Sequence, residues 1–153
     1  MKKILLTLLL LPHFAYGVVS QLAFGSFGEI SPQEAVSKYF DYFNNADSAS
    51  LNNASDSPFI FSIGGKQTAY DKYGDSVDFN GLRKQGWSYS KINISKLIYE
   101  DEISAMVDIN FSRFNKDDEV LSTTAVTYVM LKKDNQWKMK AGFVDGNLSL
   151  GKD

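Results

Sequence analysis

Apolar residues between positions 36 and 43 recur with the spacing of one buried helix face. These residues are Val36, Tyr39, Phe40 and Phe43. Ser31, Pro32 and Glu34 come just before them, in the order of a capping box with a proline in the first turn. The sequence therefore predicts a helix that begins at Ser31 and ends at the Asn44–Asn45 pair. Asp47 can cap a second, short helix.

From Trp87 onward the chain is rich in β-branched and aromatic residues, which predicts strands. The four long strands are predicted at Trp87–Tyr99, Glu102–Phe114, Glu119–Lys132 and Gln136–Phe143. A shorter hairpin over residues 59–70 is predicted around two glycines, and a broken helix follows it over residues 70–85. Helices first and a long antiparallel sheet afterwards indicate an α+β domain with the helices on one face of the sheet.

The predicted turns decide which side chains share a face of the sheet. If residues 116–118 and 133–135 are three-residue hairpin loops, odd positions lie opposite odd positions. The predicted core face then carries Ile103, Ala105, Val107, Ile109, Phe111, Leu121, Ala125, Val129, Leu131, Trp137, Met139 and Ala141, with Thr123 and Thr127 as polar exceptions and Arg113 at its end. An apolar island remains on the other face, made of Met106, Val126, Tyr128 and Met130. Such an island predicts a partner surface, most simply a homodimer, and the alternative is ordinary exposed apolar area.

The N-terminus has the pattern of a secretory signal peptide. Lys2 and Lys3 precede the apolar run Ile4–Leu11, and Ala15–Gly17 supplies the small residues of a cleavage site. The alternative, an uncleaved anchor, requires a run that can cross ~30 Å of hydrocarbon, which this run is too short to do. The sequence thus predicts a signal peptide (1–17, cut between about 17 and 23), an N-terminal lead (18–30), one domain (31–145) and a C-terminal tail (146–153). We expect a periplasmic or secreted protein that leaves the membrane after cleavage.

Charge and composition narrow the possible chemistry. The chain has 18 acidic and 16 basic side chains, so it has no electrostatic attraction to nucleic acid. Its one histidine, His13, lies in the predicted signal peptide, and it has no cysteine. The mature protein would therefore lack an imidazole base, a thiol nucleophile and disulfides. It also has no P-loop and no dinucleotide-binding fingerprint, and we predict neither a metal site nor a cofactor.

Several segments follow one another between residues 31 and 145: SPQEAVSKYFDYFNNAD, a Pro-Phe strand with Gly-Gly, YDKYGDSVDFNGLRKQGW, VDINFSRFNKDDEV and a last strand with a tryptophan. Together they resemble an NTF2-like domain, of the SnoaL-like or steroid-isomerase-like kind. The resemblance implies a cone, in which helices close a strongly curved antiparallel sheet around a pocket. It also implies frequent dimers through the outer sheet face. Members include isomerases, dehydratases, cyclases and proteins without known activity, so the fold alone does not predict the chemistry.

Six residues are candidates for lining the pocket: Tyr39, Tyr42, Trp87, Arg113, Thr123 and Thr127. Arg113 at the pocket rim could hold a carboxylate or phosphate through two hydrogen bonds. The alternative for Arg113 is a surface ion pair with Asp117 or Glu119. The tyrosines and the tryptophan could instead serve only to pack the core.

Asp108 is the one weak candidate for catalysis, because isomerase and dehydratase members use a pocket acid, histidine or tyrosine for proton transfer. The predicted register places Asp108 on the outer face, although a β-bulge could reverse that. We therefore predict an exported domain that binds a small apolar or amphipathic ligand, or a protein partner, without catalysis. The alternatives are a periplasmic isomerase, dehydratase or cyclase that uses Asp108 and a tyrosine, and a dimeric accessory subunit whose own side chains fill the pocket.

Overall fold

A computed structural model describes residues 29–152, in which helices precede and cover a six-stranded sheet. The helices are α1 (Pro32–Asn44), α2 (Ser48–Ala54), α3 (Tyr73–Ser76) and α4 (Phe79–Lys84). The strands are β1 (Ser55–Ile63), β2 (Lys66–Tyr70), β3 (Tyr89–Glu100), β4 (Ser104–Phe114), β5 (Val120–Lys133) and β6 (Gln136–Asp145). The predicted signal peptide and its cleavage site lie outside the described residues. No helix in the described range is long and apolar enough to cross a membrane.

Helix α1 begins with the predicted capping box. The Ser31 hydroxyl accepts a hydrogen bond from the Glu34 backbone N–H at 3.2 Å, and the Glu34 carboxylate accepts one from the Ser31 backbone N–H at 2.7 Å. The predicted apolar stripe of α1 is buried against the sheet. At its other end, the Asn44 side chain exchanges two hydrogen bonds of 2.8 Å with the backbone of Ser90 in β3. These bonds fix the angle at which α1 lies across the sheet.

The sheet is curved and open, with the strand order β2-β1-β6-β5-β4-β3. Consecutive strands from β3 to β6 pair antiparallel, as do β1 and β2. The pairing of β1 with β6 is parallel, which differs from the fully antiparallel sheet predicted from the sequence. The β1–β2 hairpin joins the sheet beside its last strand, β6, rather than beside β3. The α+β class and the cone with N-terminal helices are confirmed.

The predicted inner face is correct for β4 and for β6 as far as Met139, but it is wrong for β5. In β6 the pairing shifts at Lys140, which places Ala141, predicted on the core face, opposite the outward-facing Val129. Asn115 and Glu119 pair across the β4–β5 turn as expected. A β-bulge follows immediately, because Phe114 pairs with Val120 whereas Arg113 pairs with Ser122, which leaves Leu121 as an extra residue. One extra residue turns every later side chain of a strand to the opposite face. The core therefore contains Thr124, Val126, Tyr128 and Met130, whereas Thr123, Ala125, Thr127 and Val129 face outward.

The turn between β5 and β6 is also shorter than predicted. Lys133 pairs with Gln136, so only Asp134 and Asn135 form the loop. Both have positive φ angles, 50° and 57°, which is the signature of a two-residue type I′ turn. This register places Met130 opposite Met139, and both side chains are buried.

Candidate functional site

Aromatic side chains fill the interior of the cone. The Tyr39 ring lies 5.8 Å from the rings of both Tyr73 and Tyr128, and Phe40 packs edge-on against Phe111 at 5.1 Å. The space left between helices and sheet is a cavity of about 20 Å³, which is enough for roughly one water molecule. The wide internal pocket that the NTF2 resemblance implies is therefore closed by the protein's own side chains.

Three tyrosines of this cluster carry hydroxyls that stay protonated. Burial raises the pKa of Tyr39, Tyr73 and Tyr128 well above the ordinary range, and the mutual proximity of the hydroxyls contributes to the rise at Tyr39. A tyrosine with a raised pKa stays protonated near neutral pH, so it remains a neutral hydrogen-bond donor and has no free phenolate to accept a proton. These side chains can thus contact a polar ligand group, but they are unsuited to abstract a proton from it.

Arg113 lies beside the tyrosines at the end of β4, and only 7% of it is exposed. Its Nη1 donates a hydrogen bond of 2.8 Å to the backbone carbonyl of Ser149, and its Cζ lies 5.8 Å from the centre of the Phe43 ring. Its Nε is buried and has no hydrogen-bond partner. Burial lowers the pKa of Arg113, and the neighbouring tyrosines act in the opposite direction.

No carboxylate in the described part of the chain forms an ion pair with this guanidinium. The predicted alternative, an ion pair with Asp117 or Glu119, is wrong. Asp117 pairs with Lys116 at 2.8 Å, and Glu119 accepts a hydrogen bond from the Asn115 side chain. Arg113 is turned inward instead, because it continues the alternation that buries Ile109 and Phe111 along β4. A buried cation without a counter-charge is unusual, since desolvating one costs several kcal/mol.

An open cleft of about 570 Å³ lies outside the cone mouth, and Arg113 lines both this cleft and the internal cavity. Trp87 forms part of the cleft wall, and its Nε1 donates a hydrogen bond of 3.0 Å to the Ser90 hydroxyl. The bulged residue Leu121 is half exposed and lies on the cleft, where it adds apolar area. Two of the predicted pocket residues, Trp87 and Arg113, therefore meet at one opening.

The C-terminal residues 146–152 separate the cleft from the internal cavity, and the sequence analysis treated them only as a tail. Leu148 lines both spaces, and Leu150 is buried. The alternation of Leu148 and Leu150 between polar residues was the available signal that this segment packs. Tyr73 and Tyr128 were also missed as cavity residues, the latter because its face was predicted wrongly.

The other predicted pocket residues lie elsewhere. Tyr42 is half buried and lines a separate cleft of about 450 Å³ between α1 and the β5–β6 turn. Thr123 and Thr127 point outward because of the bulge, and neither lines the cavity or the cleft. The Thr123 hydroxyl instead lies 2.8 Å from that of Ser112.

Asp108 lies on the outer face of β4, as the sequence predicted. Its carboxylate accepts a hydrogen bond of 2.9 Å from the Thr127 hydroxyl, and its ladder neighbour on β3 is Lys96. The bulge that could have turned it inward is in β5 and leaves its direction unchanged. Asp108 lines neither the internal cavity nor the cleft at its mouth, so this geometry does not support it as the acid or base of a reaction in the cone. Residues 29–152 contain no cluster of acidic side chains that could hold a metal ion.

The predicted dimer face also needs correction. Val126, Tyr128 and Met130 are core residues with at most 2% exposure, and of the four predicted residues only Met106 faces outward. The outer face still has an apolar strip, because the bulge turns Val129 outward, opposite Met106. Phe143 on β6 and Ile94 on β3 are further apolar side chains of this face, 48% and 64% exposed, but the polar pair Asp108 and Thr127 lies between Ile94 and the strip.

Comparison with known sequences agrees with this architecture. Residues 31–145 match a family described as NTF2-like protein (DUF6841). The chain belongs to this NTF2-like family. The match begins at the N-cap of α1 and ends with the last residue of β6, so it leaves out the C-terminal segment over the cone mouth. No curated protein has a sequence that matches this NTF2-like protein significantly.

Solved structures share the fold of this NTF2-like protein at low sequence identity. One is an NTF2-like protein with a cystatin-like fold from Novosphingobium aromaticivorans, with a TM-score of 0.60 and 10% identity over 73% of this chain and 77% of that one. Another is a proposed ketosteroid isomerase from Shewanella frigidimarina, with a TM-score of 0.58 and 14% identity over 77% and 98%. A third is a proposed dehydratase of the NTF2-like family from Streptomyces avermitilis, with a TM-score of 0.58 and 11% identity over 76% and 93%. At these identities the likeness establishes the fold alone.

Proposed function

We propose that this NTF2-like protein is a non-catalytic binding module for a small amphipathic molecule that carries an anionic group. The observation that carries the proposal is Arg113, a buried guanidinium with no carboxylate partner and an unpaired Nε. A guanidinium has five N–H donors in a planar fork that matches a carboxylate, sulfonate or phosphate. An anion placed there would supply the counter-charge that the protein itself does not.

The surroundings of Arg113 suit the rest of such a ligand. Trp87, Leu82 and Leu121 give the cleft apolar walls, and its volume of about 570 Å³ lies within the range of small-molecule sites. The internal cavity is too small to admit more than the polar end of a ligand. We therefore expect the apolar body to lie in the cleft and the anionic group to reach inward to Arg113.

Catalysis is the less favoured function for this geometry. Of the described residues, those that line the cleft and the cavity include no aspartate or glutamate. The tyrosines there have raised pKa values because they are buried, so they do not supply a base near neutral pH. The isomerase and dehydratase named among the similar structures share the fold, but Asp108 of this chain does not lie where a cone-bound substrate would contact it.

Two fluorescent probes with the same ring system test the proposal. 1-Anilinonaphthalene-8-sulfonate carries a sulfonate, and N-phenyl-1-naphthylamine is the same skeleton without it. We expect Arg113→Gln to weaken binding of the sulfonate about tenfold or more, because charge-assisted hydrogen bonds are lost, and to leave the neutral probe unaffected. Lys116→Gln is the matched control, since it removes an exposed cation from the β4–β5 turn. Equal sulfonate affinity in Arg113→Gln and the unaltered protein would refute the proposal.

We also propose that the protein is exported and works outside the cytoplasm. The support is the charged and apolar pattern of residues 1–17, which is typical of a signal peptide. N-terminal sequencing of the protein recovered from a periplasmic or culture-medium fraction tests this. A mature start between about residues 18 and 24 is expected, and an intact Met1 in the cytoplasmic fraction would contradict it.

A homodimer through the outer sheet face is a further proposal, supported by the partly exposed Met106 and Val129 and by the exposed Phe143 and Ile94 on the same face. Exposed apolar side chains that lie together on one sheet face favour association. Measuring the mass of the protein in solution tests whether a second copy of the chain covers these side chains.

A further inference from the structure

Residues 146–152, which we call the C-terminal strap, lie across the mouth of the cone. We propose that the strap occupies the ligand's place in the free protein and is displaced when an anionic ligand binds to Arg113. This inference rests on the proposed function and adds a regulatory element to the same site. Ligand binding and strap release would then be one coupled equilibrium, in which the strap sets the apparent affinity.

The strap is held by a few well-defined hydrogen bonds. The Gly64 backbone N–H donates to the Gly146 carbonyl at 2.8 Å, and the Asp78 backbone N–H donates to the Leu150 carbonyl at 2.9 Å. Near the middle of the strap, the Ser149 hydroxyl lies 3.0 Å from the Gln85 side-chain oxygen. These contacts tie the strap to the β1–β2 turn and to both ends of α4, and they place it over the entrance.

Close packing at the end of the strap shows that it fits this position. A Cβ atom at Gly81 in α4 would overlap the Gly151 carbonyl, and one at Gly151 would overlap the Asp78 carbonyl. Gly146 at the other end has a φ of +86°, a left-handed backbone conformation that glycine adopts without strain. The strap therefore fits its position closely at Gly151, and it begins at a glycine, the residue with the widest choice of backbone conformations.

The contact between the strap and Arg113 is the reason to expect exchange with a ligand. The Ser149 carbonyl is neutral and satisfies Nη1, while Nε remains without a partner. An anionic group can accept two charge-assisted hydrogen bonds from the same fork and neutralise its charge, which the carbonyl cannot. Leu148 of the strap lines both the cleft and the internal cavity. Displacement of the strap would therefore join the two spaces.

Hydrogen exchange on the unaltered, full-length protein tests the coupling directly. Saturating 1-anilinonaphthalene-8-sulfonate should speed amide exchange at Gly64 and Asp78, because both N–H groups lose their strap carbonyls. We expect an acceleration of about tenfold or more at both amides. Unchanged or slower exchange at both, in protein shown to bind the sulfonate through Arg113, would overturn the strap inference alone.

One variant loosens the attachment of the strap, and a second, cross-linked variant locks the strap in place. Leu150→Asn removes a buried anchor outside the cleft, and it should tighten sulfonate binding about tenfold. The double variant Leu150→Asn with Arg113→Gln must lose this gain, which separates strap release from general loosening of the core. The chain has no cysteine, so Gln85→Cys with Ser149→Cys gives a unique pair that dibromobimane can bridge. Bridged protein should bind the sulfonate about tenfold more weakly than the same protein before bridging, and it should bind the neutral N-phenyl-1-naphthylamine as before. Gln85 and Ser149 line the cleft, so equal weakening of both probes would show that the bridge blocks the cleft and would contradict the strap inference.

The results distinguish the two proposals. If the unaltered protein binds the sulfonate through Arg113 but neither Leu150→Asn nor the bridge changes its affinity, the strap inference is wrong and the proposed function stands. If sulfonate binding does not depend on Arg113 in the unaltered protein, in Leu150→Asn or in the bridged protein, the proposed function is wrong. The strap inference is then wrong as well, because it rests on that function.

Discussion

Replacing Arg113 with methionine should stabilise the fold, although it removes the group on which the proposed function depends. A buried charge without a counter-charge costs about 3–5 kcal/mol, and an apolar side chain of similar volume avoids this cost because no charge has to be desolvated. The variant also removes the unpaired Nε, but it loses the hydrogen bond from the charged guanidinium to the Ser149 carbonyl, which contributes about 1.5–3 kcal/mol. We therefore expect a net gain of about 1–2 kcal/mol in the free energy of unfolding.

Urea unfolding at pH 7, followed by the fluorescence of Trp87 and Trp137, measures this change. Lys116→Met is the control, because it removes an exposed cation and should change the free energy of unfolding by less than about 0.5 kcal/mol. The sulfonate probe at about ten times its dissociation constant should stabilise the unaltered protein by ~1.4 kcal/mol and leave Arg113→Met unchanged. A loss of more than about 1 kcal/mol in Arg113→Met would show that the guanidinium holds the cone together, and it would refute the reasoning.

Three further predictions concern other parts of the molecule. Gly142→Ala should cost about 1–3 kcal/mol in urea unfolding, because its Cβ would lie 2.5 Å from the Phe61 ring; no loss would mean that the ring moves freely. Phe143→Asp should convert a dimer to a monomer in sedimentation measurements, and a protein that is already monomeric at micromolar concentration contradicts the proposed interface. The Tyr99 hydroxyl, together with backbone N–H groups of the β3–β4 turn, lowers the pKa of Asp101 to about 2. Since the folded pKa lies below the unfolded value, Asp101 stabilises the fold above about pH 4, and this contribution disappears as the pH falls toward 2. Acid titration of Asp101→Asn should therefore show a smaller loss of stability over that interval than the unaltered protein, and identical acid curves would contradict it.

Local chemistry determined the parts of the fold that the sequence predicted well. The capping box at Ser31 and the apolar spacing of α1 each depend on residues within two turns of one another, and both are present as expected. The alternation in β4 is similarly local, and its buried residues lie where the pattern placed them. The position and the buried face of a helix or strand can be predicted in this way when they depend only on residues close together in the sequence.

The face of β5 could not be predicted because it depends on one extra residue. Nothing in the composition around Leu121 marks it as a bulge, yet the bulge alone moves Tyr128 into the core and Thr127 out of it. The contact that covers Arg113 was missed for a related reason. The partner of Arg113 is a backbone carbonyl of Ser149, and a carbonyl contact with a distant segment has no signature in side-chain patterns.

The parallel pairing of β1 with β6 has a consequence for the order in which the protein can fold. β1 is made early and β6 last, so the ribosome must release nearly the whole domain before the two strands can meet. Pairings between distant parts of a chain form slowly, because the intervening loop must close first. Until β6 arrives, the β1–β2 hairpin has no strand to join, and the cone stays incomplete. A chain that crosses a membrane unfolded, as the proposed export route requires, would gain from a sheet that cannot close before its last strand is made.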